Sequence, residues 1–310
     1  MSTLWELVDS GEGKQAALTA PGQQALTYDE LRAQVKTTAT RLNELGVGRN
    51  DPVAIVLPNG PEMASAFIAI GAVATTAPLN PGYRGEEYDF YLEDLKPEIL
   101  LVTEDSDSPA IASAEKLGIK VVRLLHNPGD PAGKFELLGG ALADASPITG
   151  FAQPDDIALV LHTSGTTSKP KLVPLSQQNV CASARNVAQS LALTSADKCL
   201  NIMPLFHIHG LIAAVLGSMH AGACVSCTPG FNALKFFNWL EEVRPTWYTG
   251  VPTMHQAILT RAGRNREIID SVKLRFLRSS SASLPPKVMA DLEQTFDAPV
   301  IEAQGDRQCR

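Results

Sequence analysis

Helical and strand-like segments alternate along this chain, and that alternation restricts its fold more than any other feature. From residue 53 to residue 125, short apolar runs typical of buried strands alternate with segments whose apolar residues recur at helical spacing. The same pattern resumes at residue 157 and continues to about residue 301. Strands that are separated by helices pair in parallel and are covered on both faces. The sequence therefore predicts an α/β fold with doubly wound, mostly parallel sheets.

Several segments also carry local signals for their ends. Thr27 and Glu30 form a capping box, and Gly46 follows the helix that this box predicts. Pro61 occupies the first-turn position that proline tolerates best. Further helices are predicted over residues 86–95, 110–117, 177–191, 233–243, 253–261 and 286–296, and after His207. Strands are predicted over residues 53–57, 76–79, 98–102, 120–125, 200–203, 246–249 and 274–277, around Val225 and from Val300.

Residues 126–155 have little hydrophobic periodicity and contain Pro128 and Pro131. Such a stretch is typical of a surface connection. We expect one short helix within it, around residues 137–142.

Composition and charge exclude several classes of protein. The 310 residues carry a net charge of -7 and show no basic stripe, so we expect no nucleic-acid partner. The first residues lack the basic and apolar regions of a signal peptide, and the longest uncharged stretch, residues 63–83, is interrupted by Pro78 and Pro81. Five scattered cysteines favour reduced thiols. We expect a cytoplasmic protein without a transmembrane segment; its oligomeric state and any peroxisomal targeting of a full-length form stay open.

A hydroxyl-rich loop follows the apolar run at residues 157–161, with the sequence Thr163-Ser164-Gly165-Thr166-Thr167-Ser168-Lys169-Pro170-Lys171. Short hydroxyl donors, free backbone N–H groups and lysine are what a polyphosphate requires. A Ser/Thr-rich surface loop is the alternative interpretation, but a loop that follows a strand of an α/β sheet is where ligands bind. The Gly-x4-Gly-Lys spacing of a Walker loop is absent.

This loop resembles the phosphate-loop signature of the AMP-binding, adenylate-forming acyl-CoA synthetases. Similar segments of that family match residues 26–31, 80–83, 204–207 and 251–253 of this chain, and the resemblance covers about residues 1–303. It implies the large N-terminal domain of these enzymes, in incomplete form over residues 1–310 and without the C-terminal lid domain. One subdomain is expected at about residues 50–192 and a second at about 1–49 plus 193–310.

The resemblance implies an ATP-dependent acid–thiol ligase with two half-reactions. A carboxylate attacks the α-phosphate of Mg-ATP to give an acyl-adenylate and pyrophosphate, and coenzyme A then displaces AMP. ATP, Mg²⁺ and coenzyme A are therefore the expected cofactor and co-substrates. Preorganised donors and Mg²⁺ stabilise the charge that develops on the departing phosphates.

The family's functional positions map onto two sets of residues. The resemblance makes Lys171, Thr166 and His207 catalytic and makes Thr166 a metal ligand. The expected nucleotide-binding residues are Thr163, Ser164, Gly165, Thr166, Thr167, Ser168, Lys169, Lys171, Ser281, Ala282 and Ser283. Ser168 and Leu172 stand where the family usually has glycine, and Leu172 removes backbone freedom beside the lysine.

The acyl pocket is expected to be polar. His207 matches the family's gate beside the acyl site, and the substrate-binding residues implied are His207, His209, His255, Ser279 and Ser281. Histidine and serine donors favour a small polar or doubly charged acid, because unpaired buried donors are costly. The combination resembles the oxalate–CoA ligase branch. The alternatives are a ligase for a medium-chain fatty acid or a coumarate-like acid, and polar groups that bond only to backbone or water.

The pattern breaks after Ala303, where the family continues with a Met-Thr-Glu run that contacts the α-phosphate and Mg²⁺. Residues 304–310 contain neither that threonine nor that glutamate at matching positions. We therefore expect a truncated form with little or no activity. A non-catalytic nucleotide-binding fragment is the alternative. A kinase would need a second glycine-rich element, and a His207–His209 metal pair would need a third ligand nearby.

Overall fold

The computed structural model describes residues 1–142, 148–163 and 170–303. These residues form fourteen strands, eleven α-helices and one π-helix, His209–Leu216. The strands are β1 Ala16–Thr19, β2 Leu26–Thr27, β3 Pro52–Val56, β4 Thr75–Pro78, β5 Ile99–Thr103, β6 Lys120–Leu125, β7 Glu136–Leu138, β8 Ile157–Thr163, β9 Lys171–Ser176, β10 Lys198–Asn201, β11 Cys224–Cys227, β12 Trp247–Gly250, β13 Phe276–Ser280 and β14 Val300–Ala303. The α-helices are α1 Leu4–Asp9, α2 Tyr28–Leu45, α3 Pro61–Gly71, α4 Gly85–Leu95, α5 Pro109–Leu117, α6 Gln177–Ser190, α7 Gly217–His220, α8 Phe236–Val243, α9 Pro252–Ala262, α10 Arg266–Ser271 and α11 Pro286–Phe296.

The strands form two sheets of seven strands each within the described residues. The first sheet has the order β14-β13-β12-β10-β11-β1-β2, and only β2 in it runs antiparallel to its neighbour. The second sheet has the order β7-β6-β5-β3-β4-β8-β9, with β7 and β9 antiparallel at its two edges. The prediction of an α/β fold with mostly parallel, doubly wound sheets is confirmed.

Helices cover both faces of each sheet and produce five layers. Helices α2, α3 and α6 and the π-helix pack between the sheets in one continuous core. Helices α8 to α11 cover the outer face of the first sheet, and α4 and α5 cover that of the second. Strand alternation divides the side chains, so that Cys199 enters the central core and Leu200 the outer one.

Local signals in the sequence determine several helix ends. Thr27 accepts a hydrogen bond from the Glu30 amide while the Glu30 carboxylate accepts one from the Thr27 amide, as the capping box predicts. Helix α2 then ends at Gly46, which adopts a left-handed conformation with a φ of 92°. Pro61 is the first residue of α3.

The prediction of a short helix around residues 137–142 is wrong. Glu136–Leu138 is a strand, which pairs antiparallel with β6 at the edge of the second sheet. The Gln34 amide on α2 donates to the Phe135 carbonyl across 2.8 Å and holds the chain against the helix layer. Gly139 and Gly140, which follow the strand, disfavour a helix there.

Within the described ranges, no helix combines the length and the apolarity that a bilayer span requires. Cys181, Cys199, Cys224 and Cys227 are buried free thiols. Burial raises the pKa of Cys181 to about 12 and that of Cys224 to about 11, so these thiols stay protonated and unreactive.

Candidate active site

Strands β8 and β9 form the hairpin that carries the predicted phosphate loop. Thr163 at the end of β8 pairs with Lys171 at the start of β9. Ser164, Gly165, Thr166, Thr167, Ser168 and Lys169 lie outside the described residues, as does the side chain of Thr163. Their roles as nucleotide or metal ligands stay predictions. The hairpin forms one edge of the second sheet, and β8 runs parallel to β4, so Thr163 lies at the carboxyl end of the sheet.

Asn59 joins the carboxyl ends of the two sheets. It follows β3 of the second sheet, and its Oδ1 accepts a hydrogen bond from the Leu205 amide at 2.7 Å. Its Nδ2 donates to the carbonyl oxygens of Thr228 at 3.1 Å and Met203 at 3.3 Å, which follow strands of the first sheet. These bonds set the segment that contains His207 beside the second sheet.

A pocket of about 470 Å³ lies at this junction. The second sheet and the β8–β9 hairpin line one side, and Phe206, His207 and Ile208 line the other. Aromatic rings build part of the wall, since Tyr83 stacks on Tyr91 with centroids 4.8 Å apart. His207 is exposed and its ring lies 4.6 Å from that of Phe206.

The segment after His207 is a π-helix, an uncommon conformation that often occurs at functional sites. It begins at His209, and Gly210 permits its close approach to the preceding loop. A Cβ atom at Gly210 would lie 2.3 Å from the Pro204 carbonyl oxygen, well inside van der Waals contact. The backbone at this position therefore requires glycine.

His209 lies at the centre of a polar group, here called the His209 cluster, formed by the buried residues His209, Thr249 and Arg278 and the exposed residue Ser281. His209 Nε2 lies 2.8 Å from Arg278 Nη1 and 2.6 Å from Thr249 Oγ1. His209 Nδ1 lies 3.1 Å from Ser281 Oγ, and Arg278 Nη1 lies 3.3 Å from Thr249 Oγ1. Thr249 and Arg278 come from the carboxyl halves of β12 and β13, and Ser281 follows β13.

These contacts determine where His209 carries its proton. Guanidinium groups only donate, so Nε2 must be an acceptor and the proton must lie on Nδ1. The Nδ1–H group then donates to Ser281 Oγ. Burial, and after it the neighbouring Arg278 cation, lowers the pKa of His209 to about 3. The ring is therefore neutral at physiological pH.

Arg278 is a buried cation without a counter-ion in the described part of the chain. Its side chain is only 7% exposed, and no carboxylate among the described residues lies within ion-pair distance of it. Burial lowers the pKa of the guanidinium. Burying an unpaired charge is expensive, and an anionic ligand would offset that cost.

Ser281 has a strained backbone, with a φ of 75° in the left-handed region that glycine favours. Such a conformation costs a residue with a side chain roughly 1–2 kcal/mol. The residue is exposed, as are Ala282 and Ser283 after it, and the loop is fixed where the Leu284 amide donates to Glu302 at 2.7 Å. Strain that the surrounding structure enforces is common at ligand sites.

His255 and Ser279 are not part of the His209 cluster. Both are fully buried on the outer face of the first sheet, where His255 Nδ1 lies 3.1 Å from the Tyr248 hydroxyl. Among the residues that the structure describes, His255 Nε2 and Ser279 Oγ have no hydrogen-bond partner. Burial lowers the pKa of His255 to about 4. Their role in substrate binding stays a prediction.

The described residues contain no group of three or more histidine, cysteine, aspartate or glutamate side chains that could hold a metal ion. Both ring nitrogens of His209 are engaged by protein groups, so no lone pair remains for a metal. Thr166, the predicted metal ligand, lies outside the described residues.

Thr249 and Asn59 are two site residues that the sequence motifs do not predict. Asn59 lies in a Pro-Asn-Gly run that is typical of an ordinary turn, so its role as a bridge carries no local signal. Thr249 lies at the carboxyl end of a strand that precedes Val251-Pro252, a position where side chains meet ligands. Its position at the end of a strand is the signal in the sequence that could have identified Thr249.

Comparison with known proteins gives the family and the fold. A profile of the AMP-binding enzyme family matches residues 7–305. The oxalate–CoA ligase of Arabidopsis thaliana is 40% identical over 98% of this chain and 60% of its own length. The oxalate–CoA ligase of Saccharomyces cerevisiae is 35% identical over 83% of this chain and 51% of its own length.

Among solved structures, the ATP-bound MatB from Rhodopseudomonas palustris shares the fold, with a TM-score of 0.82 at 24% identity. The similarity covers 98% of this chain and 59% of that one, so the chain spans between half and two thirds of the length of these proteins. Both sheets correspond to the N-terminal domain of adenylate-forming enzymes. The chain belongs to the AMP-binding enzyme family.

Proposed function

We propose that this chain binds the nucleotide and the acid of an ATP-dependent carboxylate–CoA ligase whose acid is oxalate. The observation that carries the proposal is Arg278, a buried cation with no carboxylate beside it in the described residues. A dianion such as oxalate supplies a second negative charge that a fatty acid lacks. The names of the two relatives, at 40% and 35% identity, support the same acid.

The proposed chemistry is an adenylation followed by thioester formation. One oxalate oxygen attacks the α-phosphorus of ATP, the bond to the β-phosphate oxygen breaks, and pyrophosphate leaves. The thiolate of coenzyme A then attacks the acyl carbon, and AMP leaves. We propose that Lys171 and the hydroxyls of residues 163–168 stabilise the charge on pyrophosphate, with Thr166 holding the Mg²⁺ that accompanies ATP.

The acid is proposed to bind near the His209 cluster. His207 is proposed to lie between the bound acid and the 470 Å³ pocket. Ser281, Ala282 and Ser283 are proposed to contact both acid and nucleotide. We also propose the two subdomains at about residues 50–192 and at about 1–49 plus 193–310. The sheet memberships of β3 to β9 and of the remaining strands support that division.

The experiment measures binding to the purified chain by isothermal titration calorimetry. We expect Mg-ATP to bind, and oxalate to bind more tightly than acetate, octanoate or 4-coumarate. Lys171→Ala should weaken ATP binding and leave oxalate binding unchanged, which serves as the matched control. Tighter binding of octanoate or 4-coumarate would overturn the choice of acid, and absence of ATP binding would overturn adenylation.

A second assay separates an active ligase from a fragment that only binds nucleotide. Pyrophosphate exchange into ATP, with oxalate present, reports the first half-reaction. Residues 304–310 lack the family's threonine and glutamate at matching positions, so we expect exchange close to that of a buffer blank. Exchange clearly above the blank would favour an active enzyme over the fragment.

A further inference from the structure

The hydrogen bonds of the His209 cluster all run in one direction. Arg278 Nη1 donates to His209 Nε2, and His209 Nδ1–H donates to Ser281 Oγ. The Thr249 hydroxyl accepts from Arg278 and donates to the same Nε2 atom. The chain of donors therefore begins at a permanent cation and ends at the hydroxyl of Ser281. The proton of that hydroxyl is the last donor in the chain, and Ser281 is exposed.

We propose that Arg278 and His209 are positioning residues that orient the Ser281 hydroxyl, so that its proton is donated to a carboxylate of the bound acid. The identity of that acid rests on the proposed function above. Ser281 is the residue that touches the substrate, and His209 acts through it. This differs from a site in which the His209 ring itself contacts the acid.

Three observations support a directed donor over a merely structural bond. First, both nitrogens of His209 are already occupied, so the ring has no free group for a ligand. Second, Ser281 Oγ accepts from Nδ1–H, which turns its own O–H bond away from the ring. Third, Ser281 is held at a φ of 75°, a conformation that glycine adopts without strain. Packing alone would favour glycine at this position, so the serine hydroxyl offsets the strain by another role.

Charge explains the preference for an anion at this point. Successive hydrogen bonds polarise one another, and here the first donor carries a full positive charge. The Ser281 proton is therefore more acidic than that of an isolated serine, and a carboxylate oxygen is the acceptor that gains most from it. A neutral ester or amide of the same acid would gain less.

The first test measures the tautomer of His209 in the full chain by ¹⁵N–¹H correlation spectra of the imidazole groups. We expect the proton on Nδ1, with signals assigned by their absence in His209→Asn. In Arg278→Met the main donor to Nε2 is lost, and we expect a shift towards the ordinary Nε2–H tautomer. A wild-type ring that carries its proton on Nε2 overturns the proposal without any variant. Thr249→Val should leave the tautomer unchanged, because Arg278 remains.

The second test separates the Ser281 hydroxyl from the Ser281 backbone. Ser281→Gly keeps the left-handed conformation and Ser281→Ala keeps the Cβ atom, while both lose the hydroxyl. We expect each to weaken oxalate binding by roughly tenfold to a hundredfold, the effect of one hydrogen bond to a charged group. Full oxalate affinity in Ser281→Gly would show that only the backbone matters and would overturn the proposal.

The third test uses the conservative variant of His209. The Asn side-chain amide in His209→Asn places a donor where Nδ1–H lies, whereas His209→Phe places none. We expect His209→Asn to retain more oxalate affinity than His209→Phe. If the wild-type chain shows the Nδ1–H tautomer but binds no oxalate, the donor chain stands and the choice of acid fails. Equal loss in the two variants would contradict a donor role for His209.

Discussion

The amide of Leu205 donates a hydrogen bond to Oδ1 of Asn59 across 2.7 Å, and this contact joins two sheets. Asn59 follows the central strand β3 of the second sheet, while Leu205 leads from the first sheet into the π-helix. The Asn59 side-chain amide also donates to the carbonyl oxygen of Thr228, which follows strand β11 of the first sheet. One side chain thus fixes the distance between the two halves of the candidate site.

Replacing Asn59 with alanine should destabilise the protein by about 2–4 kcal/mol, because the Leu205 amide loses its acceptor and the Thr228 and Met203 carbonyls each lose a donor. Urea unfolding followed by circular dichroism measures the change. Asn127→Ala is the matched control, since Asn127 is exposed and its side chain makes a long bond of 3.4 Å to Asp130. The control should change stability by less than about 0.5 kcal/mol. Equal losses in both variants would contradict a bridging role.

Gly210→Ala should destabilise the protein by about 1–3 kcal/mol, because the new Cβ would overlap the Pro204 backbone. The clash should also disturb the start of the π-helix, so the imidazole signal of His209 should shift. Gly263→Ala is the control, because that glycine has open space around it and an ordinary right-handed conformation. Thermal unfolding compares the two. A harmless Gly210→Ala would show that the π-helix start tolerates a side chain.

His255 should make stability depend on pH. Its ordinary pKa of 6.5 falls to about 4 in the folded protein, because the ring is buried. Between these values the unfolded chain binds a proton that the folded chain does not, so stability falls as the pH falls from 6.5 towards 4. The slope from one such group is about 1.4 kcal/mol per pH unit.

His255→Gln removes the titrating ring, and its stability should fall less steeply over the same pH window. Urea unfolding at about pH 5 and about pH 6, both inside that window, measures both slopes, which should differ by about 1 kcal/mol per pH unit. Identical slopes for wild type and His255→Gln would mean that the ring is not held neutral in the folded protein.

Local signals account for the parts of the fold that the sequence predicts well. Helix α11 begins at Pro286 and ends at Phe296 as expected, and the Thr27–Glu30 box opens α2. Both signals act between residues a few positions apart. Helix α1 and strand β1 were not predicted, because six and four residues are too short to show a periodicity.

The candidate site depends on contacts that no local signal reports. His209 and Ser281 are 72 residues apart, and they meet because the first sheet brings the ends of their segments together. Arg278 and Ser279 are adjacent, but strand alternation sends them to opposite faces of the sheet. The sequence therefore predicted that Ser279 and His255 line the same pocket as His209, whereas in the fold they lie on the opposite face of the sheet. The register of a strand, and the sheet face on which each of its side chains lies, depend on tertiary contacts.

Arg278→Met should stabilise the ligand-free protein by about 1–3 kcal/mol. The substitution removes an unpaired buried charge, and His209 Nε2 keeps its hydrogen bond with the Thr249 hydroxyl. If Arg278 had only a structural role, its replacement would destabilise the protein instead. Urea unfolding without ligand measures this directly, and a loss of stability above about 1 kcal/mol would assign Arg278 a structural role.

The affinity of oxalate for wild type and for Arg278→Met shows whether Arg278 selects the acid. Both are measured by isothermal titration calorimetry with a non-hydrolysable ATP analogue present, and acetate serves as the singly charged comparison. We predict that Arg278→Met weakens oxalate binding by more than about tenfold and acetate binding by less than about threefold. Equal oxalate affinities in the two proteins would contradict a buried arginine that selects a dianionic acid.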